Sequence, residues 1–282
     1  MMATNFASIR VHDARHAKVT SHMRDWNATV YHRVSNPQLE WGLPVLARLP
    51  LDGRELVLDV GCGTGRLTER LIQRLPQGCA IAIDRSPSMI ATARDYLAER
   101  CRGHVGFAQA SATALPFAGV ADAIFSTATF HWVLDHDLLF RNLFVALKRG
   151  GRLVAQCGGG PNLLRVHERC RGLMQEAPFA PHFDRWTTPW EFADPETTAR
   201  RLRAAGFVEV ETSLHGSPVA QPDAASYREF VEAVICRPHL SLLPEPSLRD
   251  RFLDRLTADA AHDSPPFELD YWRLNIDARK PR

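Results

Sequence analysis

The stretch Val57-Leu-Asp-Val-Gly-Cys-Gly-Thr-Gly65 constrains what this chain can fold into more than any other. It opens in a short apolar run from Glu55 to Val60, which reads as a buried strand. Leu67, Leu71 and Leu75 follow at four-residue spacing, one face of a helix that Pro76 and Gly78 stop. Glycines between a strand and a helix permit positive φ angles and close approach by a ligand. The helix N-terminus beyond them offers unpaired N–H groups to an anion. Strands are also expected at Ala80–Asp84, Val105–Gln109, Ala123–Ser126 and Leu153–Gln156. Ser86 and Pro87, a cap and a first helical residue, start a helix with Met89, Ile90, Ala93 and Leu97 on its apolar face. A further helix runs from Leu138 to Leu147, and Arg149-Gly-Gly151 is a turn. This alternation over about 55–157 predicts an α/β fold, a doubly wound parallel sheet with right-handed crossovers.

The pattern changes after Gly158-Gly-Gly160. Residues 161–205 read as mostly helical, broken by Pro178, Pro181, Pro189 and Pro195. Phe207–Leu214 reads as a strand and residues 222–262 as helical again. In the tail, Trp272, Leu274, Ile276 and Ala278 alternate along a last strand whose other face is more polar. The expected organisation is a flexible tail over 1–24 and one domain over 25–282. The core of that domain takes in about 50–157, 207–214 and 269–279, and a helical cap takes in about 160–205 and 222–262.

Composition narrows the partners. With 45% hydrophobic and 23% charged residues, general disorder is excluded. The 34 basic and 32 acidic side chains leave a net charge of +2, so no global pull toward nucleic acid is expected. No apolar stretch approaches the roughly 20 residues that span a bilayer, so no membrane partner is expected either. Met1–Arg24 is polar, basic apart from Asp13, and lacks the apolar region of a secretory signal. It reads as a weakly transit-peptide-like tail, or as an overlong start with Met23 as the alternative initiator. The six cysteines, Cys62, Cys79, Cys101, Cys157, Cys170 and Cys236, form no CxxC pair and no zinc spacing. They predict reduced thiols in a cytoplasm and no metal.

The glycine spacing selects among ligands. A dinucleotide fingerprint, G-x-G-x-x-G, needs a glycine where Arg66 stands; here Gly65 comes one place early. Asp59, two residues before the first glycine, would repel a pyrophosphate and attract an ammonium or sulfonium. Asp84 ends the second strand, where an acid accepts both hydroxyls of a ribose. A ligand with a ribose, an ammonium and a carboxylate but no phosphate fits this set: S-adenosyl-L-methionine. The same spacing disfavours a nucleotide-dependent oxidoreductase. Strand, acid, glycines, helix and second acid together also disfavour a merely structural turn.

With those residues placed, the chain resembles class I S-adenosylmethionine-dependent methyltransferases over roughly residues 25–157. The carrying motifs are Leu58-Asp-Val-Gly-Cys-Gly-Thr-Gly65, Ile83-Asp-Arg-Ser-Pro-Ser-Met89, Leu115-Pro-Phe117 and Leu147-Lys-Arg-Gly-Gly151. Within that class it looks closest to the trans-aconitate methyltransferase group. Asp25-Trp-Asn27 with Tyr31, Phe130-His-Trp-Val-Leu-Asp-His136 and Gly151-Arg-Leu-Val-Ala-Gln156 carry this likeness. Malonyl-carrier methyltransferases of biotin synthesis and juvenile hormone acid methyltransferases are similar at the same places, and all three groups esterify carboxylates. The resemblance implies a Rossmann-like, mostly parallel seven-stranded sheet with its last strand antiparallel. It implies that Asp59, Gly61, Gly63 and Gly65 hold the methionine end of the cofactor, that Asp84 holds the ribose, and that Met89 packs on the adenine. Cys62, Arg85 and Thr127, in or beside the same segments, complete the expected cofactor set. One departure stands out. Ser111 occupies the place of an acid that faces the adenine amino group. A hydroxyl accepts that bond more weakly than a charge, unless the backbone of Ala112 takes it over. This leaves a catalytically silent S-adenosylmethionine-binding protein as an alternative.

The acceptor is expected to be a small molecule, methylated on the oxygen of a carboxylic acid of the trans-aconitate kind. A carboxylate is ionised at neutral pH and needs donors to hold it; a hydroxyl needs a general base. Transfer to a hydroxyl, carbon or nitrogen of a lipid-like or natural-product acceptor is the alternative. His131 and Trp132 follow the fourth strand at its carboxyl end, the edge where open α/β sheets bind ligands. His131 would donate to a carboxylate, act as base on a hydroxyl, or simply bond the backbone. Trp132 packs or donates its N–H. Tyr31, His32 and Arg33 fall in the segment that covers the cofactor in related proteins. Tyr31 joins His131 and Trp132 as a catalytic candidate, and Arg33 is either a carboxylate clamp or part of a solvated face. Arg273 is a second substrate-side candidate, with surface exposure as its alternative. Trp186, Trp190 and Phe192 either line an aromatic lid or form the core of the cap.

Overall fold

A computed structural model describes residues 36–282. The expected tail and the candidates Tyr31, His32 and Arg33 lie outside the described residues. The first helix, α1, is Asn36–Arg48, and strand β1 is Leu56–Val60. Then come α2 (Arg66–Ile72), β2 (Cys79–Asp84), α3 (Pro87–Leu97), β3 (Val105–Gln109) and β4 (Ala121–Thr127). After these follow α4 (His136–Ala146), β5 (Leu147–Gly158), α5 (Leu164–Leu173), α6 (Pro195–Ala204) and β6 (Val208–Gly216). Short pieces β7 (Val219–Ala220), α7 (Ala224–Phe230) and α8 (Arg237–Leu240) precede the long α9 (Pro246–Ala260). Strands β8 (Glu268–Leu269) and β9 (Trp272–Arg279) complete the chain.

Seven strands form one sheet in the order β3-β2-β1-β4-β5-β9-β6. β1 runs parallel to β2 and β4, β4 runs parallel to β5, and β9 runs antiparallel to both its neighbours. The expected Rossmann-like topology with an antiparallel last strand is therefore the observed one. The side-chain period of two splits the core. Leu58 and Val60 point with Ile81, Ile83 and Ile124 toward α4 and α6. Val57 points with Ala80 and Phe125 toward the other face, under α1 and α2. Each such Leu, Ile or Val contributes ~1.5–3 kcal/mol on burial, which fixes the register of both layers. The start of α3 follows its sequence: Ser86 accepts the N–H of Met89 at 3.2 Å, Pro87 takes the first turn, and Met89, Ile90, Ala93 and Leu97 are buried.

The structure differs from expectation in four places. Arg149-Gly-Gly151 is not a turn between elements but part of β5. Leu147 pairs with Ala121 and Arg152 with Ala123, so the extra residues bulge. Gly150, at φ +78°, donates its N–H to the carbonyls of Lys280 and Pro281, which anchors the bulge. Residues 161–205 are less helical than expected, because the prolines leave 183–194 without a helix. Helix α6, expected in the cap, lies on β6, and its Leu202 joins the sheet core with Phe207. Finally, β9 has the expected polar face, but Arg273 on it is buried rather than at the surface. The strand sits between β5 and β6, and Arg273 and Asn275 are buried along with Leu274 and Ile276, the guanidinium of Arg273 against the Trp41 ring.

A second apolar cluster forms the cap, joining Val166, Cys170 and Leu173 of α5 to Tyr227, Phe230, Phe252 and Leu256. Its helical run from α7 to α8 contains a π-turn, in which Cys236 donates its N–H to the Val231 carbonyl. No described helix is long and apolar enough to cross a membrane.

Candidate functional site

A cavity of about 1160 Å³ opens at the carboxyl ends of β1, β2 and β4, beneath the cap. This is the edge where parallel sheets leave room for ligands. Its sheet end is lined by Gly61, Gly63, Asp84, Met89, Ser111 and Thr127, all of them residues singled out from the sequence. Arg85 and Ala112 line it as well.

The glycine loop does less with its amides than expected. Gly61 and Cys62 donate their N–H groups to the Ile83 carbonyl, Gly65 donates to Cys62, and Gly63 donates to the Asp84 carboxylate at 3.0 Å. These four amides are satisfied within the protein, so they form no anion cradle of the kind a phosphate needs. The loop instead offers close backbone approach. Gly61, Gly63 and Gly65 all have positive φ, +80°, +54° and +86°. A Cβ on Gly61 would lie 2.0 Å from the Thr129 hydroxyl oxygen.

Asp59, Cys62 and Gly65 do not line the cavity among the described residues. Asp59 shares the face of Val57 on β1, toward α2, where it is buried and accepts the Thr68 hydroxyl at 2.6 Å. Burial pushes its carboxyl up to about 7, against the pull of that bond. Cys62 packs with Ala82, Ile90 and Ala93. A Cβ on Gly65 would strike Leu97 at 2.7 Å, so this glycine serves the contact between α2 and α3. Asp84 does face the cavity. Its two oxygens accept the N–H groups of Gly63 and Ser86, yet burial outweighs these bonds and raises its pKa. Ser111 and Thr113 share a hydrogen bond of 2.8 Å on the cavity wall, and Thr113 is a lining residue that no sequence signal marked.

At the cap end, His131 and Arg273 come together at the last residue of β5. Gly158 donates its N–H to Nδ1 of His131 at 3.3 Å and pairs with Arg273 across the sheet. The bonded Nδ1 leaves the proton on Nε2. Burial, reinforced by the Arg273 guanidinium, lowers the His131 pKa to about 3. Of the three readings of His131, bonding to the backbone is realised, and the ring still lines the cavity as a neutral group. Its turn, Phe130–Trp132, is held by His136, whose Nε2 lies 3.0 Å from the Phe130 carbonyl while Arg201 meets its Nδ1 at 3.3 Å.

Arg273 is 4% exposed, which overturns its surface alternative. It donates Nε–H to Gln156, and its guanidinium sits 4.2 Å over the Trp41 ring. Trp132, Trp186, Trp190 and Phe192 all line the cavity while Trp186 also packs on the cap core, so lid and core are one structure. That segment is pinned over the sheet edge by Glu191, which donates its N–H to the His131 carbonyl and accepts Arg201 at 3.0 Å. His167 is a further lining residue that the sequence did not mark.

Three comparisons bear on this site. Residues 57–151 match the family model described as "Methyltransferase domain". Trans-aconitate 2-methyltransferase of Variovorax paradoxus is 31% identical over 237 residues, covering 79% of this chain and 84% of that one. The protein of the same name from Methylobacterium radiotolerans is 30% identical over 277 residues, covering 92% and 99%. Among solved structures, a phosphoethanolamine N-methyltransferase of Haemonchus contortus superposes with a TM-score of 0.59 at 18% identity. The match covers 90% of this chain and 57% of that one.

Proposed function

This chain belongs to the S-adenosylmethionine-dependent methyltransferases of the trans-aconitate group, and on that footing we propose that it methylates a carboxylate oxygen of a small acid. The residues at the sheet end suit the cofactor. Asp84 presents a carboxylate for ribose hydroxyls, Met89 an apolar wall for a purine, and Ser111 with Thr113 hydroxyls for its polar edge. Gly61 and Gly63 let the backbone approach the methionine end, while Asp59 supports the loop from behind through Thr68. When bound, S-adenosylmethionine supplies a methyl group to the attacking oxygen, and its sulfonium sulfur keeps the electron pair of the broken bond.

The protein's task in such a displacement is to place the oxygen and exclude water. Arg273 supplies a cation and His131 a neutral Nε2–H donor beside it. The single observation that carries the carboxylate reading is the environment of His131. Its Nδ1 is taken up by the Gly158 N–H, and burial beside Arg273 lowers its pKa, so the ring is poorly suited as the general base that a hydroxyl acceptor would need and a carboxylate does not. Six free, buried cysteines support a reducing cytoplasm as its compartment.

The pH dependence of kcat/KM tests this. Between pH 5 and 9 the wild-type profile should show no rise with an imidazole-like midpoint, and His131→Gln should lower the rate only modestly. A steep rise through neutral pH that the glutamine variant abolishes would move the acceptor to the hydroxyl class.

A further inference from the structure

The acceptor end of the cavity is walled by rings rather than by cations. Trp190 stacks on His167 with centroids 4.4 Å apart, and Phe192 lies 5.6 Å from His167 and 5.7 Å from His131. Trp132 and Trp186 each stand 6.1 Å from Trp190. All of these rings are only partly buried, so they present faces and edges to the space they line.

The charges there are sparse. Among the described residues, the guanidiniums on the wall are Arg85, Arg185 and Arg273, matched by the carboxylates Asp84, Asp135 and Asp184. Arg85 and Arg185 are exposed and each adjoins one of those acids in sequence; Arg273 is buried. Burial also keeps His131 and His167 neutral, at about 3 and about 4. A tricarboxylate would bring three charges to a wall that has one buried guanidinium among the described residues, and charges buried without partners are strongly disfavoured. One guanidinium matches one carboxylate. A flat apolar body matches the aromatic wall. His167 adds a polar requirement. Both of its ring nitrogens are buried without a hydrogen-bond partner, a state that a polar group on a ligand would relieve.

The geometry points to an aryl monocarboxylic acid with a polar ring substituent as the acceptor, its ring among Trp186, Trp190 and Phe192, its carboxylate toward Arg273 and its substituent at His167. This rests on the carboxylate reading above, and it departs from the tricarboxylate for which the relatives are named.

Calorimetric titration of the protein saturated with S-adenosylhomocysteine tests it, with the three monohydroxycinnamates and trans-aconitate as ligands. At least one hydroxycinnamate should bind about tenfold tighter than trans-aconitate. Trp190→Ala and His167→Phe should each weaken that binding several-fold while leaving the S-adenosylhomocysteine affinity unchanged. Trans-aconitate binding as tightly as the best hydroxycinnamate, or hydroxycinnamate affinity unmoved in both variants, overturns the inference. Turnover with S-adenosylmethionine separates it from the reading it rests on. A trans-aconitate ester with no hydroxycinnamate bound keeps the carboxylate reading and removes the aryl acid. An alkali-stable ether of a bound hydroxycinnamate does the reverse.

Discussion

Gly61→Ala probes the loop where the chain has least freedom. Two costs add at this position. An L residue at φ +80° loses ~1–2 kcal/mol to backbone strain. The new Cβ would meet Thr129 at Oγ1 (2.0 Å), Cγ2 (2.3 Å) and Cβ (2.6 Å), an overlap that overpacking data place at ~1–3 kcal/mol. The sum, ~2–5 kcal/mol, is a large share of the ~5–15 kcal/mol that holds a typical domain. The three nearest atoms all belong to the Thr129 side chain, so Thr129→Gly removes these closest contacts and leaves the strain. That side chain also donates to the Thr127 carbonyl at 2.8 Å, so each background needs its own reference. Urea denaturation of wild type, both single variants and the double variant closes a cycle. Gly61→Ala should cost ~2–5 kcal/mol in the wild type and ~1–2 kcal/mol in the Thr129→Gly background, a coupling of ~1–3 kcal/mol. Equal costs in the two backgrounds, or a wild-type cost below ~0.5 kcal/mol, would refute the reasoning.

Asp84→Ala should weaken S-adenosylhomocysteine binding by about ten- to hundredfold in calorimetry, the loss of charge-assisted bonds to a ribose. Asp84→Asn should lose less, because it keeps one acceptor for the Gly63 or Ser86 amide; equal affinity in all three proteins would remove Asp84 from the site. Ser111→Asp should leave cofactor affinity unchanged or tighter, and a large loss would mean that the wall is built around the Ser111–Thr113 pair. Asp59, raised from 3.8 to about 7 when folded, holds its proton more tightly in the native state, so its contribution to stability falls as pH rises through that window. Asp59→Asn removes the loss, and its stability relative to wild type should rise from pH 4 to pH 8 by at most ~4 kcal/mol. A pH-independent difference would contradict the buried carboxylate.

Local pattern carried the sheet end of this site. Ser86, Pro87 and Met89 lie within one turn of each other, and a cap plus an apolar period placed them correctly. Asp84 was legible because a parallel strand that runs straight into a helix cap leaves its last residue at the open carboxyl edge of the sheet. The burial of Asp59 was also latent in the sequence, since the period of two puts it on the face of Val57. Its charge, read as a ligand for a cation, obscured that. Arg273 was legible as a substrate-side candidate, but its burial was not. What covers it is distant in sequence: the Trp41 ring of α1 lies against the guanidinium and Gln156 of β5 accepts its Nε–H. His167 escaped for a related reason, and the Trp186–Phe192 segment was legible only as a lid or a cap core, not in its position. They are placed by long-range bonds such as that from the Glu191 N–H to the His131 carbonyl, which no periodicity announces. The loop amides escaped because glycine spacing is silent on which N–H groups the neighbouring strand already holds.

The most direct test of the whole account is the chemical lability of the transferred methyl group. The protein is incubated with methyl-labelled S-adenosylmethionine and a panel of acids that includes hydroxycinnamates and trans-aconitate. The labelled product is isolated and treated with mild alkali. The account predicts that label moves to an acid in the panel and that alkali releases it as methanol, the behaviour of a methyl ester. Label that survives alkali, as an ether, an N-methyl or a C-methyl group would, or no transfer to any acid, would contradict it.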